Sequence, residues 1–395
     1  GWSRAGRASG RRSGPMSANP IVLFSNGPGD ADFFYACRFA VERGVYVRFG
    51  LDDDVLVEDL LELDRARAES TAQRVVDVAE LGYEPSMNVV AAWAQAVARL
   101  LQERGAREIR VSPDLRVAFY EELRSAGIEI EIDDQIFLEG RRRKSQEEGS
   151  FIHSAQRAAE AACVEAISLL GSAEVRDGLL WEEGRPLTSE KLKSDAERVL
   201  SEIGYAAGEM IIAGAPDSAL PHHQGSGQIQ AGGPVIIDIF PRGRTSRYHG
   251  DLSRTVVVGE PAPEVRRMHE AVCAALDAGI AGLRDGANGR DVHRAACQVL
   301  VEAGFGTSTA GLEGEPGRAR MIHSLGHGVG LEVHEAPYLR DVDYPLRAGD
   351  VVTVEPGLYL VGLGGVRVED TGMIGAKDFR NYSSISRSLD PRAYM

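Results

Sequence analysis

The sequence predicts two domains, a small α/β domain followed by a larger α+β domain built on an antiparallel sheet. Three observations lead there. Over roughly the first 130 residues past Met16, short apolar runs alternate one by one with amphipathic stretches, the pattern of an α/β layer. Beyond the basic cluster Arg141–Lys144, long helical stretches come first and strands then gather in pairs, which favours antiparallel pairing. At 395 residues the chain is also long enough to divide into more than one core. We divide it into a disordered extension at 1–15, an N-terminal domain at 16–140 and a second domain at 141–395.

The first fifteen residues, GWSRAGRASGRRSGP, carry four arginines, no acid and no apolar centre. They lack the apolar stretch of a secretory signal and are predicted to be disordered, with the natural start at Met16. Ile21–Asn26 ends in NGPGD and reads as a strand and turn. Ala31–Val41 reads as a helix, and Val45–Gly50 and Val55–Val57 as strands around an acidic turn. Val89–Glu103 is amphipathic and is closed by Gly105. A strand at Ile109–Ser112, a helix at Leu115–Ser125 and a strand at Ile128–Ile132 complete the domain. It contains no histidine and no phosphate-binding glycine pattern.

The run RRRK at Arg141–Lys144 reads as a solvated linker, and Ser145 as the cap of a helix over 146–170. A second helix is expected over 188–204 and two more over 263–284 and 289–304. Strands are expected at Glu209–Ala213, Pro234–Phe240, Leu252–Gly259, Asp350–Glu355 and Gly365–Glu369.

Composition narrows the function. Apolar residues make up 43% and charged residues 26%, as in an ordinary globular protein. A net charge of −15 argues against nucleic acid or an anionic membrane as partner. No apolar run reaches the roughly 18 residues that a membrane span needs. Four cysteines lie scattered without CxxC spacing, which fits a reducing, cytoplasmic setting and offers no thiolate metal site.

The chemistry gathers in the second domain. Met321–Glu335 reads MIHSLGHGVGLEVHE, with His323, His327 and His334 among closely spaced glycines. So many glycines argue against a helix and for a loop or bulge that brings His327 close to its surroundings. Four acids stand at the ends of apolar strands: Asp238 after VII, Asp251 before LSRTVVVG, Glu355 after VVTV and Glu369 after GVRV. A carboxylate in a buried strand costs several kcal/mol unless it is paired or bound to metal. Asp238 and Asp251 flank the loop of a hairpin, so they approach each other, and a cation would relieve their repulsion. Two aspartates, two glutamates and one imidazole form a hard donor set that suits a pair of Mn, Co, Fe or Zn ions.

In this order, Asp238, Asp251, His327, Glu355 and Glu369 resemble the five metal ligands of the M24 metallopeptidases of the creatinase/aminopeptidase, or pita-bread, fold. The phrases HSLGHGVGLEVHE, TVEPGLY and GVRVED are similar to that family's signatures. The similarity spans about 146–375, and the two-domain layout resembles the Xaa-Pro dipeptidase and aminopeptidase P branch, with a smaller creatinase-N-like α/β domain in front. The resemblance implies two divalent cations, Mn²⁺ first and Co²⁺, Zn²⁺ or Fe²⁺ as options, sharing a hydroxide that attacks a peptide bond preceding proline. It implies Glu355 as proton acceptor, His334 stabilising the tetrahedral intermediate, and His222 and His323 positioning substrate or moving a proton. It implies Arg367 holding Glu369 or a substrate carboxylate, and a homodimer. The partner is then a peptide or dipeptide with proline second, not nucleic acid or a membrane. A creatinase-like C–N hydrolase and a non-catalytic binding protein are the other functions the fold carries. Both tend to lose ligands that this chain keeps. One departure stands out. The aspartates lie thirteen positions apart, two more than is usual in the family. His223 reads as a neighbour of His222, His249 as solvent-exposed, and His153, His269 and His293 as surface or core residues of helices.

Overall fold

The structure, a computed structural model, describes residues 19–395. The extension expected to be disordered lies outside the described residues. The chain divides into two compact units, one ending at Arg141 and one running from Arg142 to Met395.

In the first unit, strands β1 (Ile21–Phe24), β2 (Val45–Gly50), β3 (Asp53–Glu58), β4 (Arg74–Asp77), β5 (Glu108–Val111) and β6 (Glu129–Ile132) form one sheet in the order β4-β3-β2-β1-β5-β6. β1, β2 and β3 pair antiparallel, and the outer strands pair parallel. Period-two alternation sends Val45, Val47, Val55 and Val57 to a core with Trp93, Leu101 and Phe119, and Tyr46 and Leu56 to a core with Phe33 and Phe39 on the other face. Helix α1 (Ala31–Cys37) stops before the expected Val41, because Arg38 turns left-handed at φ 56° and Phe39 and Val41 leave the helix to be buried. Helices α2 (Leu63–Glu69), α3 (Val89–Glu103) and α4 (Val117–Ser125) also belong to the unit. Neither α2 nor β4 was expected, since both are short and largely polar.

The second unit opens on α5 (Gln146–Ser172), where Ser145 and Glu148 form a reciprocal capping box. The reading of RRRK as a solvated linker is overturned. Arg142 is 4% exposed and pairs with Asp350 at 2.8 Å, and Lys144 reaches Glu335 at 2.6 Å. Both side chains find buried carboxylates, so Arg142 and Lys144 belong to the core, while Arg143 between them is exposed. After α6 (Ser189–Glu202), strands β7 (Met210–Gly214), β8 (Val235–Ile239) and β9 (Leu252–Val256) make an antiparallel sheet. Helices α7 (Pro263–Gly282) and α8 (Gly289–Glu302) follow. Later strands that frame the site are β10 (Gly326–Gly328), β11 (Glu335–Leu339), β12 (Val351–Val354), β13 (Gly357–Leu360), β14 (Gly364–Arg367), β15 (Asp370–Ile374) and β16 (Phe379–Asn381). Five of them form an antiparallel sheet in the order β11-β10-β12-β15-β16, and β13 and β14 form a hairpin in a neighbouring sheet. The arrangement is α+β. One core lies between α7, α8 and these strands, and another between α5, α6 and the β7–β9 sheet.

Candidate metal centre

The strands end where their chemistry begins. Asp238 is the penultimate residue of β8, Asp251 stands just before β9, and Glu355 just after β12. Glu369 sits in the two-residue break between β14 and β15, where the chain passes from one sheet to another. β8 and β9 pair with Asp238 opposite Ser253, which brings Asp251 beside it, as the hairpin reading required. His327 lies on β10, where the pairing with β11 shifts register after it. This is the bulge anticipated from the glycines. Gly328 is needed there, because a Cβ would lie 2.4 Å from the Ala336 carbonyl oxygen.

Donor atoms of Asp251, His327 and Glu369 all come within 4.8 Å of one another, and all three residues are buried. The His327 Nε2 is 3.3 Å from Glu355 Oε1 and 3.7 Å from Asp251 Oδ2. Its Nδ1 meets the Gly328 carbonyl at 3.2 Å, which leaves Nε2 as the nitrogen turned to the acids. Asp238 gives one oxygen to Arg367 Nη2 at 2.6 Å, while its Oδ1 is buried without a hydrogen-bond partner. That orphaned oxygen, in a pocket of four acids, is what a bound cation would satisfy, so the residues present fit a metal site.

The protonation pattern agrees. Burial, followed by the charge of Asp238, pushes the Asp251 carboxyl well above the usual range. Burial and the charges of Asp251, Glu355 and Asp238 do the same to Glu369. His327 is driven the other way. Burial would lower it, but the Glu355 hydrogen bond and the nearby acids raise it to about 9. Burial would raise Glu355, yet His327, His323 and Arg367 hold it at about 2. A metal-free site therefore compensates its charge with an imidazolium, the place a cation would take.

The remaining site residues fall into two groups. His323 lies against Tyr359, with Nε2 2.9 Å from its hydroxyl and Nδ1 2.7 Å from the Ser324 carbonyl. Its pKa is lowered, chiefly by burial, so the ring is neutral and accepts the tyrosine proton. Arg367 Nη1 donates to the same hydroxyl at 2.9 Å. The resulting chain, His323–Tyr359–Arg367–Asp238, includes Tyr359, a residue the sequence reading quoted in TVEPGLY without singling it out. Arg367 holds Asp238, where the resemblance implied Glu369 or a substrate carboxylate. Its Nε is occupied by Ser253 at 2.9 Å. The His334 ring stands edge-on to His327, centroids 4.2 Å apart. His222 is exposed and close enough for its charge to lower both His323 and His334 slightly.

Other histidines stay outside. His223 faces Asp217 at 3.6 Å. His249 is only partly exposed, contrary to expectation, because its amide bonds Gly330 and its ring rests near the Phe240 carbonyl. His293 is buried against Thr309, His269 bonds the Arg387 carbonyl, and His153 stacks on Tyr382.

Known proteins share this family pattern and fold. The pattern of metallopeptidase family M24 matches residues 150–376. An Xaa-Pro dipeptidase of Pyrococcus horikoshii is 31% identical over 290 residues, 72% of this chain and 75% of that protein. An Xaa-Pro dipeptidase of Pyrococcus furiosus is 36% identical over 183 residues, which span 46% of this chain and about half, 49%, of its own length. The crystal structure of the prolidase from Pyrococcus horikoshii superposes with a TM-score of 0.76 at 26% identity, covering 94% of this chain and 95% of that one. Aminopeptidase P of Escherichia coli, solved with substrate, shares the fold at a TM-score of 0.75 and 19% identity, over 95% and 93% of the two chains. The α+β pita-bread fold expected from the sequence is thus the fold observed. With more than half of its length matched by the family pattern, and a relative aligned over three quarters of that relative's length, the chain belongs to metallopeptidase family M24.

Proposed function

We propose that this protein hydrolyses the peptide bond preceding proline, as an Xaa-Pro dipeptidase or Xaa-Pro aminopeptidase. Asp238, Asp251, His327, Glu355 and Glu369 would hold two divalent cations, Mn²⁺ in preference to Co²⁺, Zn²⁺ or Fe²⁺. The observation that carries the reading is the buried convergence of Asp251, His327 and Glu369 beside an Asp238 oxygen that has no partner. Bound there, the cations would lower the pKa of a shared water and polarise the scissile carbonyl.

The chain's own groups do the rest. Glu355, held ionised, takes the proton from the attacking water. His334, at the open side of His327, donates to the oxygen that becomes negative in the tetrahedral intermediate. Prolyl nitrogen has no N–H in the substrate and must gain a proton to leave. Exposed His222 is placed to deliver one, while neutral His323 orients the Tyr359 hydroxyl on the substrate side of the site. Arg367 fixes Asp238 and Tyr359 together. A reducing, cytoplasmic compartment, in keeping with four free cysteines, and a homodimer, implied by the resemblance alone, complete the reading. Light scattering that returns a single chain mass would remove the dimer.

The test is a matched panel, an Xaa-Pro dipeptide and an Xaa-Pro-Yaa tripeptide, with Mn²⁺ present and Glu355→Ala as control. Cleavage of the dipeptide alone identifies a dipeptidase, and preference for the tripeptide an aminopeptidase. A metal-loaded protein inert on both retains the site and overturns the substrate.

A further inference from the structure

Asp251 is the site residue whose position the sequence makes hardest to trust, since the loop before it is longer than usual. The structure shows what holds it. The Asp251 amide donates to Gln156 Oε1 at 2.8 Å, and its carbonyl accepts from Thr371 Oγ1 at 2.7 Å. Gln156 sits in the middle of α5 and is fully buried, an uncommon place for an amide unless both its ends are used. Its other end, Nε2, donates to Ser383 Oγ at 3.0 Å. The Thr371 amide donates to the same hydroxyl at 3.1 Å. The two groups that grip the Asp251 peptide therefore meet at one oxygen, on the irregular segment that follows β16.

We propose that Gln156 and Ser383 are positioning residues for Asp251, forming with Thr371 a closed hydrogen-bonded clasp that sets this ligand against Glu369 and His327. The inference rests on the metal reading above. Asp251 lies in front of β9 rather than within it, so the strand ladder alone does not fix its peptide. The clasp supplies both missing bonds from elements that are far away in sequence. It also gives the segment after Asn381 a role in the site, though it contributes no ligand. The same segment is anchored a second time, independently of Asp251, where Glu160 accepts from the amides of Ser384 and Ile385. That second anchor is the control. Partners behind a metal ligand typically change metal affinity by about 10–100-fold, and groups acting as one network are not additive.

The experiment compares Gln156→Met, Ser383→Ala, the double variant and Glu160→Gln in the full chain. Calorimetric titration with Mn²⁺ reads the dissociation constants, and thermal melting of the metal-free proteins reads the fold. We expect Gln156→Met and Ser383→Ala each to weaken Mn²⁺ binding about 10–100-fold. The double variant should be no weaker than the worse single, and Glu160→Gln should lower the melting temperature with binding within about twofold of the parent. Unchanged affinity in Gln156→Met and Ser383→Ala, or an equal loss in Glu160→Gln, overturns the clasp while leaving the metal site standing. Absence of Mn²⁺ binding by the unaltered protein removes the metal reading and the clasp with it.

Discussion

Asp370, Glu58 and Asp251 are all carboxylates withdrawn from water, and their surroundings dispose of the charge in three different ways. Asp370 is paired, by Arg254 at 2.9 Å and by Arg387. Glu58 has no hydrogen-bond partner for either oxygen, and burial, aided by Asp59 and Glu62, pushes it up to about 9. It folds as the neutral acid. Its folded pKa lies above the unfolded value, so the unfolded chain loses its proton first, and stability falls as pH rises from about 4.5 towards 9. Glu58→Gln should therefore stabilise the protein at pH 8 by on the order of a few kcal/mol and be close to neutral at pH 5. Urea unfolding at the two pH values checks this, and equal effects at both would contradict it. Asp251 is the third case, left for a cation. The sequence marked it and its partners because charged residues at the ends of Val- and Ile-rich strands stand out. Tyr359 did not stand out, since a tyrosine in a half-apolar strand looks like any other. Removing Arg367, as Arg367→Met, leaves Asp238 buried and unpaired, at a cost of about 3–5 kcal/mol in the metal-free protein. The deficit should shrink when Mn²⁺ is added, because a cation replaces the lost charge. Thermal melts with and without metal read the difference.

At the scale of elements, length and periodicity decided what could be foreseen. The long helices α3 and α5 show a clear period and recognisable ends. Ser145→Ala should cost about 1 kcal/mol through loss of the α5 cap, measured by urea unfolding. Short polar elements such as α2 and β4 carry too few apolar positions for a period to register. The run RRRK shows the opposite failure. Its composition reads as solvated, yet Lys144 is buried by an ion pair that no local pattern announces. Lys144→Met should destabilise the protein by about 3–5 kcal/mol through loss of this buried ion pair, read by urea unfolding. A loss below about 1 kcal/mol would contradict the buried pairing. The hairpin from β8 to β9 docks on α5 through Gly250, where a Cβ would lie 2.5 Å from the Ala155 carbonyl carbon. That contact brings Asp251 within reach of Gln156.

For the whole molecule, each unit has its own apolar core, while the candidate ligands all belong to the second unit. Chelation should abolish hydrolysis and lower the melting temperature of the transition that belongs to that unit, and Mn²⁺ should restore both. At a free metal concentration one hundred times the dissociation constant, the gain is about 2.7 kcal/mol per site. A melting curve unmoved by chelator and by Mn²⁺ would argue that no cation is held. Among the described residues no helix is long and apolar enough to cross a membrane. The sequence by itself indicated the α+β class, the long helices and the five candidate ligands, because alternation, capping and misplaced charge are local signals. Only the tertiary structure decided which carboxylate Arg367 holds, that Tyr359 joins His323 to Asp238, that Lys144 is buried, and that Gln156 and Ser383 grip Asp251. Each of these is a contact between segments distant in the chain, and such contacts exist only once the apolar cores have packed and fixed the distances between them.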